Sequence, residues 1–182
     1  MTFPDIAGRT CLVTGATSGL GLHFAHLLAR NGAQVILGGR DAVKLECCLA
    51  DFPAEVPRPR PLLVDVDDPE AVERAVAEIE GPLDVLVNNA GITAARPALD
   101  MAPREFEAVL RTNLTGAFAV AQSVARRMKD TGGGSIVNVA SILGLRVAGQ
   151  VAAYAASKAA LVQLTQATAL EWARHGIRVN AL

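Results

Sequence analysis

Tyr154 and Lys158 stand four positions apart at the start of an alanine-rich stretch with helical spacing, which puts them on one face, one turn apart. A free tyrosine titrates near pH 10, too high for a base at neutral pH. A neighbouring ammonium favours the phenolate and lowers that value. Bringing it to about 7 takes roughly 4 kcal/mol, at about 1.36 kcal/mol per unit. Tyr154 is the only tyrosine in the chain. Ser141 follows the apolar run 135–140, at the carboxyl edge where open α/β sheets bind ligands. Taken alone, a Tyr/Lys pair at this spacing reads better as part of a solvated helix face. The rest of the chain decides between the two readings.

The frame for these residues starts near the N-terminus. Cys11, Leu12 and Val13 form the apolar run of a strand buried on both faces. Gly15, Gly19 and Gly21 follow, and then the helical pattern Leu22, Ala25, Leu28, Ala29. Strand, glycine loop and helix together lay a pyrophosphate on free N–H groups at a helix N-terminus. The residues expected to touch it are Gly15, Thr17, Ser18, Gly19, Leu20 and Gly21. The spacing is G-x-x-x-G-x-G rather than G-x-G-x-x-G, so by itself it also fits a plain structural loop. A second strand ends Leu37-Gly38-Gly39-Arg40. Where an acidic residue would bind a ribose 2′-hydroxyl, an arginine accommodates a 2′-phosphate. Arg40 therefore favours NADP(H), with NAD(H) left open by Asp41 beside it. Asp65 closes a third strand, followed by Val66, where a carboxylate can accept from an adenine amino group. Asn88, Asn89, Ala90 and Gly91 follow a fourth strand and can line a cofactor; each also fits a turn at a strand end.

Strand patterns at 10–14, 34–38, 61–65, 83–87, 135–140 and 176–180 alternate with helical ones throughout. Such alternation predicts one α/β domain over 1–182, a Rossmann-type doubly wound parallel sheet in three layers, α/β/α. Segment 68–79 reads as a helix capped by Asp68 with Pro69 at its first position. Residues 53–61, with four prolines, read as an extended surface connection. Half the residues are hydrophobic and the net charge is −1, which offers nucleic acid or an anionic membrane nothing to hold. No secretory leader and no apolar run of membrane-spanning length is present, so the expected setting is cytoplasmic. Cys11, Cys47 and Cys48 are too few and badly placed for a disulfide framework, and no metal site is expected from His23, His26 and His175. Helical stretches 112–125 and 159–170 carry no charge at all. Their outer faces predict burial against a second copy, giving a homodimer or homotetramer.

Taken in order, Thr14-Gly15-x-x-x-Gly19-x-Gly21, Asp65, Asn88-Asn89-Ala90-Gly91, Asn113, Ser141 and Tyr154-Ala-Ala-Ser-Lys158 resemble the short-chain dehydrogenase/reductase family over almost the whole chain. The resemblance implies hydride exchange between a nicotinamide cofactor and a carbonyl or secondary alcohol. By matching position, Tyr154 would be the general acid/base and Ser141 would hydrogen-bond the substrate oxygen. Lys158 would hold the nicotinamide ribose and depress the tyrosine, and Asn113 would place a water in the proton relay. Tyr154 and Lys158 would thus touch both cofactor and substrate. Substrate-lining candidates are Thr93, Ile142, Leu143, Arg146, Gln150 and Val151; the second strand is similar to that of polyol and sugar-acid 5-dehydrogenases and of 3-oxoacyl-thioester reductases. In the family the last strand runs on into a Pro-Gly turn, a helical lid and a further strand, which the segment 176–182 does not show. The expectation is an incomplete record of a longer protein or a shortened member. Two other classes compete: a non-catalytic nucleotide-binding subunit, and an epimerase or dehydratase, whose T-G-x-x-G-x-x-G spacing this chain lacks.

Overall fold

The computed structural model describes residues 4–182. Six parallel strands form one sheet in the order β3-β2-β1-β4-β5-β6. They are β1 (Thr10–Thr14), β2 (Gln34–Gly39), β3 (Arg60–Leu63), β4 (Val85–Asn88), β5 (Gly134–Asn138) and β6 (Ile177–Ala181). The helices are α1 (Gly19–Arg30), α2 (Ala42–Ala50), α3 (Pro69–Ala77), α4 (Pro103–Leu110), α5 (Ala117–Asp130) and α6 (Ala152–Trp172). Every residue of β1 is buried, as its unbroken apolar run requires of a central parallel strand. Cys11, Val13, Val35 and Leu37 meet Ala25 and Ala29 of α1 and Leu45 of α2 on one face. Leu12, Ile36, Leu86 and Ile136 meet α3 and α5 on the other, with Ala169 and Trp172 of α6 against the same core. The order reverses between β1 and β4, which places ligands at their carboxyl ends. Among the described residues no helix is long and apolar enough to cross a membrane.

Several predicted boundaries shift. The strand predicted at 61–65 starts at Arg60 and ends at Leu63, so the 53–61 connection gives up its last two residues to β3. Pro61 sits inside a strand because β3 is an edge with β2 as its one partner, so its missing N–H interrupts no second ladder. Asp65 and Val66 consequently lie in the turn beyond the strand. The fourth strand runs over 85–88 instead of 83–87, and the fifth and sixth differ from their predicted ranges by one or two residues.

The uncharged stretch 112–125 is not one regular helix. A π-type turn over Arg111–Gly116 joins α4 to α5, and Asn113 sits in it. Gly116 explains the irregularity, because an added Cβ there would lie 2.6 Å from the Val66 carbonyl oxygen, so the chain can approach the turn after β3 only as glycine. The stretch 159–170 lies within α6, which packs along β6 and against α4. Asp68 caps α3 as expected, accepting from the Ala71 N–H at 3.0 Å.

Candidate active site

A cavity of about 620 Å³ opens at the carboxyl ends of β1, β2 and β4. Gly15, Thr17, Ser18, Gly19 and Leu20 line it, together with Arg40, Asp65, Val66, Asn89, Ala90 and Gly91. Eleven of the expected cofactor contacts thus share one wall-to-wall cleft. Gly21 does not line it. Its place is structural, because a Cβ there would collide with the Gly15 carbonyl and lie 2.5 Å from Asn89 Nδ2. Gly15 adopts φ +62, and a Cβ on it would come within 2.9 Å of Ala90 Cα. The glycine loop is therefore held flush against the turn after β4.

Polar side chains lock that contact. Thr14 Oγ1 accepts from the N–H groups of Asn89 and Ala90 at 3.0 and 3.1 Å. Asn89 Nδ2 donates to the Thr14 and Gly15 carbonyls at 3.1 and 3.3 Å. Asn89 thus shapes the loop with its amide while lining the cleft. Ser18 caps α1 in extended conformation, yet its side chain makes no capping bond. Hydroxyl and first-turn N–H groups remain available for ligand oxygens, which is the donor set a pyrophosphate needs. A dinucleotide fits this cradle.

The wall at the ends of β2 and β3 is sharper than the sequence indicated. Arg40 is exposed and makes no ion pair among the described residues. Asp41 lines the cleft too, engaged by Lys44: its Oδ1 accepts from the Lys44 N–H at 3.0 Å as the cap of α2, and Oδ2 lies 3.8 Å from Lys44 Nζ. Lys44, a lining residue the sequence reading passed over, brings a second cation to the cleft. Asp65, which lines the cleft, accepts at Oδ1 from the Asp67 N–H at 3.0 Å, an Asx turn that fixes the loop. Gly39 is tight as well as small, since a Cβ there would sit 3.0 Å from Thr17 Cγ2.

The chemical residues come from β5, the π-type turn and α6. Lys158 is buried, with its Nζ donating to the Val139 carbonyl at 2.6 Å and lying 5.6 Å from the Tyr154 ring centroid. Burial pushes its ammonium below the usual lysine range. Ser141 caps the short turn Ile142–Gly144, accepting from the Leu143 N–H at 3.1 Å. That turn rests on α6 at Lys158, where a Cβ on Gly144 would lie 2.9 Å from the Lys158 carbonyl oxygen. Ser141, Tyr154 and Lys158 are thereby gathered at one end of the sheet, beside the cleft rather than lining it. Asn113 is also buried. Its Oδ1 accepts from the Ile92 N–H at 2.7 Å, and its Nδ2 donates to the Ile92 carbonyl at 2.9 Å and to Ser157 Oγ at 3.0 Å. Both N–H donors of the amide are spent and its oxygen holds the Ile92 N–H, so the side chain acts as a clamp.

Of the substrate-lining candidates, Ile142 is exposed and Val151 half-buried. Gln150 takes φ +66 and its carbonyl accepts from the Arg96 N–H at 2.7 Å, which ties the loop bearing Thr93 to the approach to α6. Leu145 and Val147 extend the apolar surface there and were not anticipated. Ser157, Asn138 and Thr165 were also missed. Ser157 stood inside the Tyr154–Lys158 motif, and Asn138 repeats at the end of β5 what Asn88 does at the end of β4, its register partner.

The family model for short chain dehydrogenases matches residues 9–182. The chain belongs to the short-chain dehydrogenase/reductase family. It is an NAD(P)-dependent oxidoreductase acting on CH–OH and C=O groups, as its named relatives are. The gluconate 5-dehydrogenase of Gluconobacter oxydans is 40% identical over 188 residues, covering 100% of this chain and 73% of the relative. A gluconate 5-dehydrogenase from Burkholderia cenocepacia, solved with NADP and tartrate, superposes with TM-score 0.92 at 36% identity over 96% of this chain and 70% of that one. An NAD+-bound xylitol dehydrogenase gives TM-score 0.94 at 38% identity, covering 97% and 70%. The six-stranded parallel sheet with flanking helices is the Rossmann-type fold of these structures.

Proposed function

We propose that this chain prefers NADP(H) and exchanges hydride with a secondary alcohol or ketone of a polyol or sugar acid, with Tyr154 as general acid/base. The observation that carries the cofactor preference is the pairing of Arg40 with Lys44 on one cleft while the Asp41 carboxylate is spent on capping α2. Arg40, a cation with no ion pair among the described residues, with Lys44 on the same wall, suits a 2′-phosphate, and Asp41 is already engaged by Lys44. The bound nicotinamide would supply or take the hydride. Ser141 keeps a hydroxyl proton to donate to a substrate oxygen, since its capping bond uses Oγ as acceptor. Lys158 has one N–H on Val139 and two left for a ribose hydroxyl and the phenol side of Tyr154. Tyr154 then moves the proton to or from that same substrate oxygen. The substrate class rests on the gluconate and xylitol enzymes among the relatives, and on Arg146, exposed just beyond Ser141, as a carboxylate partner. We further propose a cytoplasmic homodimer or homotetramer joined through the uncharged stretches 112–125 and 159–170.

The deciding experiment is a fluorescence titration with NADPH and NADH, followed by turnover assays on D-gluconate, xylitol and a 3-oxoacyl thioester. Tighter NADPH binding, with gluconate or xylitol oxidation lost in Tyr154→Phe, is the expected result. Preferential NADH binding overturns the cofactor assignment, and turnover of the thioester alone overturns the substrate class. Cofactor binding with no turnover at all would leave a nucleotide-binding module in place of an enzyme.

A further inference from the structure

Ser157 is completely buried on the inward side of α6, between Tyr154 and Lys158. Its Oγ donates to the Tyr154 carbonyl at 2.7 Å. A serine bonding the carbonyl three residues back is common inside helices and by itself says nothing. Here the same oxygen also accepts from Asn113 Nδ2 at 3.0 Å. Asn113 in turn grips both the N–H and the carbonyl of Ile92, a lining residue of the cofactor cleft. One continuous chain of hydrogen bonds therefore runs from the cleft wall, through the π-type turn, to the backbone of Tyr154.

We infer that Ser157 is a positioning residue that sets the register between the cofactor cleft and the Tyr154 phenol. The inference rests on the reading of Tyr154 as the acid/base. Helix α6 could slide or rotate by a fraction of an ångström on an apolar core without losing burial, because hydrophobic contact is non-directional. The bond from Asn113 to the Ser157 hydroxyl crosses between elements and is directional, while the Tyr154 carbonyl on the same helix holds that hydroxyl in the orientation that accepts it. Hydride and proton transfer demand such registration, since a misplacement of about 1 Å can lower a rate by about a hundredfold.

The test compares Ser157→Ala with Thr168→Ala. Thr168 is a matched control: it is buried on the same helix, and its hydroxyl bonds only carbonyls of that helix, those of Leu164 and Thr165. Because the chain has a single tyrosine, protein carrying ring-13C tyrosine gives one tyrosine signal, which reports Tyr154 without any substrate. With NADP+ bound, Ser157→Ala is expected to shift or split that signal while Thr168→Ala leaves it in place. On D-gluconate, Ser157→Ala should lose about 10- to 100-fold in kcat with the NADPH dissociation constant within about threefold of the parent. Restoring the hydroxyl as Ser157→Thr should recover part of both signatures. An unmoved tyrosine signal in Ser157→Ala, or the same displacement in both alanine variants, overturns the inference. If the parent turns over none of the substrates, the proposed activity fails, and the tyrosine signal still decides the positioning role.

Discussion

Removing the Asn88 side chain should uncouple the two halves of the sheet. Asn88 is 3% exposed, and its Nδ2 donates to the Ala117 carbonyl at 2.7 Å and to Asn138 Oδ1 at 3.1 Å, while its Oδ1 accepts from Thr14 Oγ1 at 3.3 Å. Asn88→Ala deprives two buried acceptors of their donor and the Thr14 hydroxyl of its acceptor. At about 1–3 kcal/mol per buried group left unsatisfied, with some relaxation, the loss is about 2–5 kcal/mol. Urea unfolding read by the single tryptophan, Trp172, measures it. With m near 2 kcal/mol/M, the midpoint should fall by about 1–2.5 M. The nearly isosteric Asn88→Asp tests the direction of the bonds. The introduced carboxyl faces two acceptors and can donate only when protonated, so its folded pKa rises above the unfolded value of about 3.9. A group raised in this way is at its most stabilising below the unfolded pKa and loses that contribution as pH climbs through the folded one. The gap to the parent protein should therefore widen from pH 5 to pH 8. A midpoint lowered by less than about 0.3 M in Asn88→Ala, or a gap independent of pH in Asn88→Asp, would refute the hydrogen-bond account.

Arg40→Ala should weaken NADPH about 10- to 100-fold, the range of a lost charge-assisted contact, with NADH changed less than about threefold; equal losses for both would place Arg40 away from the phosphate. A thiol reagent at pH 8 should titrate one group promptly in the folded protein, Cys47. Burial, with the charge of Asp84, pushes Cys11 up to about 12, and burial also raises Cys48, so both should react only as fast as the structure opens. His26 stacks on Phe52 at 4.0 Å between ring centroids, and its pKa is lowered by burial first and then by the neighbouring Arg30. The folded state therefore favours the neutral ring, and its contribution is present above about 6.5 and lost as pH falls through the folded value. Melting curves of His26→Phe against the parent should diverge in favour of the variant as pH drops from 7 to 5, and parallel curves would discount the effect.

Local chemistry made the frame legible and left its ties hidden. The strand–glycine–helix start, the alternation of elements and the Asp68 cap follow from period, composition and turn residues, and each stands where the sequence put it. Pro61 stands in the strand as read, but why it is tolerated there depends on β3 being an edge, a fact of sheet order that no local pattern carries. The helical pattern over 112–125 was real, but the π-type turn answers to the approach of Gly116 to Val66, a contact between residues 50 apart in the chain. Eleven of the expected cofactor residues share one cleft because the motif residues lie on a few short loops at neighbouring strand ends. Ser157, Asn138 and Thr165 were passed over because a serine, asparagine or threonine earns significance only from a partner elsewhere. Asn113 was singled out, yet what its amide grips could not be known from spacing.

The lack of charge over residues 159–170 of α6 takes on a different meaning with those ties in view. Its buried stripe, Ala153, Ser157, Lys158, Leu161, Thr165 and Thr168, is mostly polar, the reverse of an ordinary helix on a sheet. Every polar member has a partner. Ser157 bonds Asn113, Lys158 bonds Val139, and Thr165 Oγ1 accepts from Asn138 Nδ2 at 2.9 Å while donating to the Leu161 carbonyl. Asn138 leads on through Asn88 to Thr14, the residue that also holds the turn after β4. Two polar threads therefore leave α6: one crosses the strand ends to the glycine loop, the other passes through Asn113 to the cleft wall at Ile92. Apolar residues at these positions would bury as much surface and bind the helix as firmly, but only directional bonds dictate where along the sheet it stops. If α6 carries the acid/base and its lysine, as proposed, it gains more from that fixed stop than from a larger core.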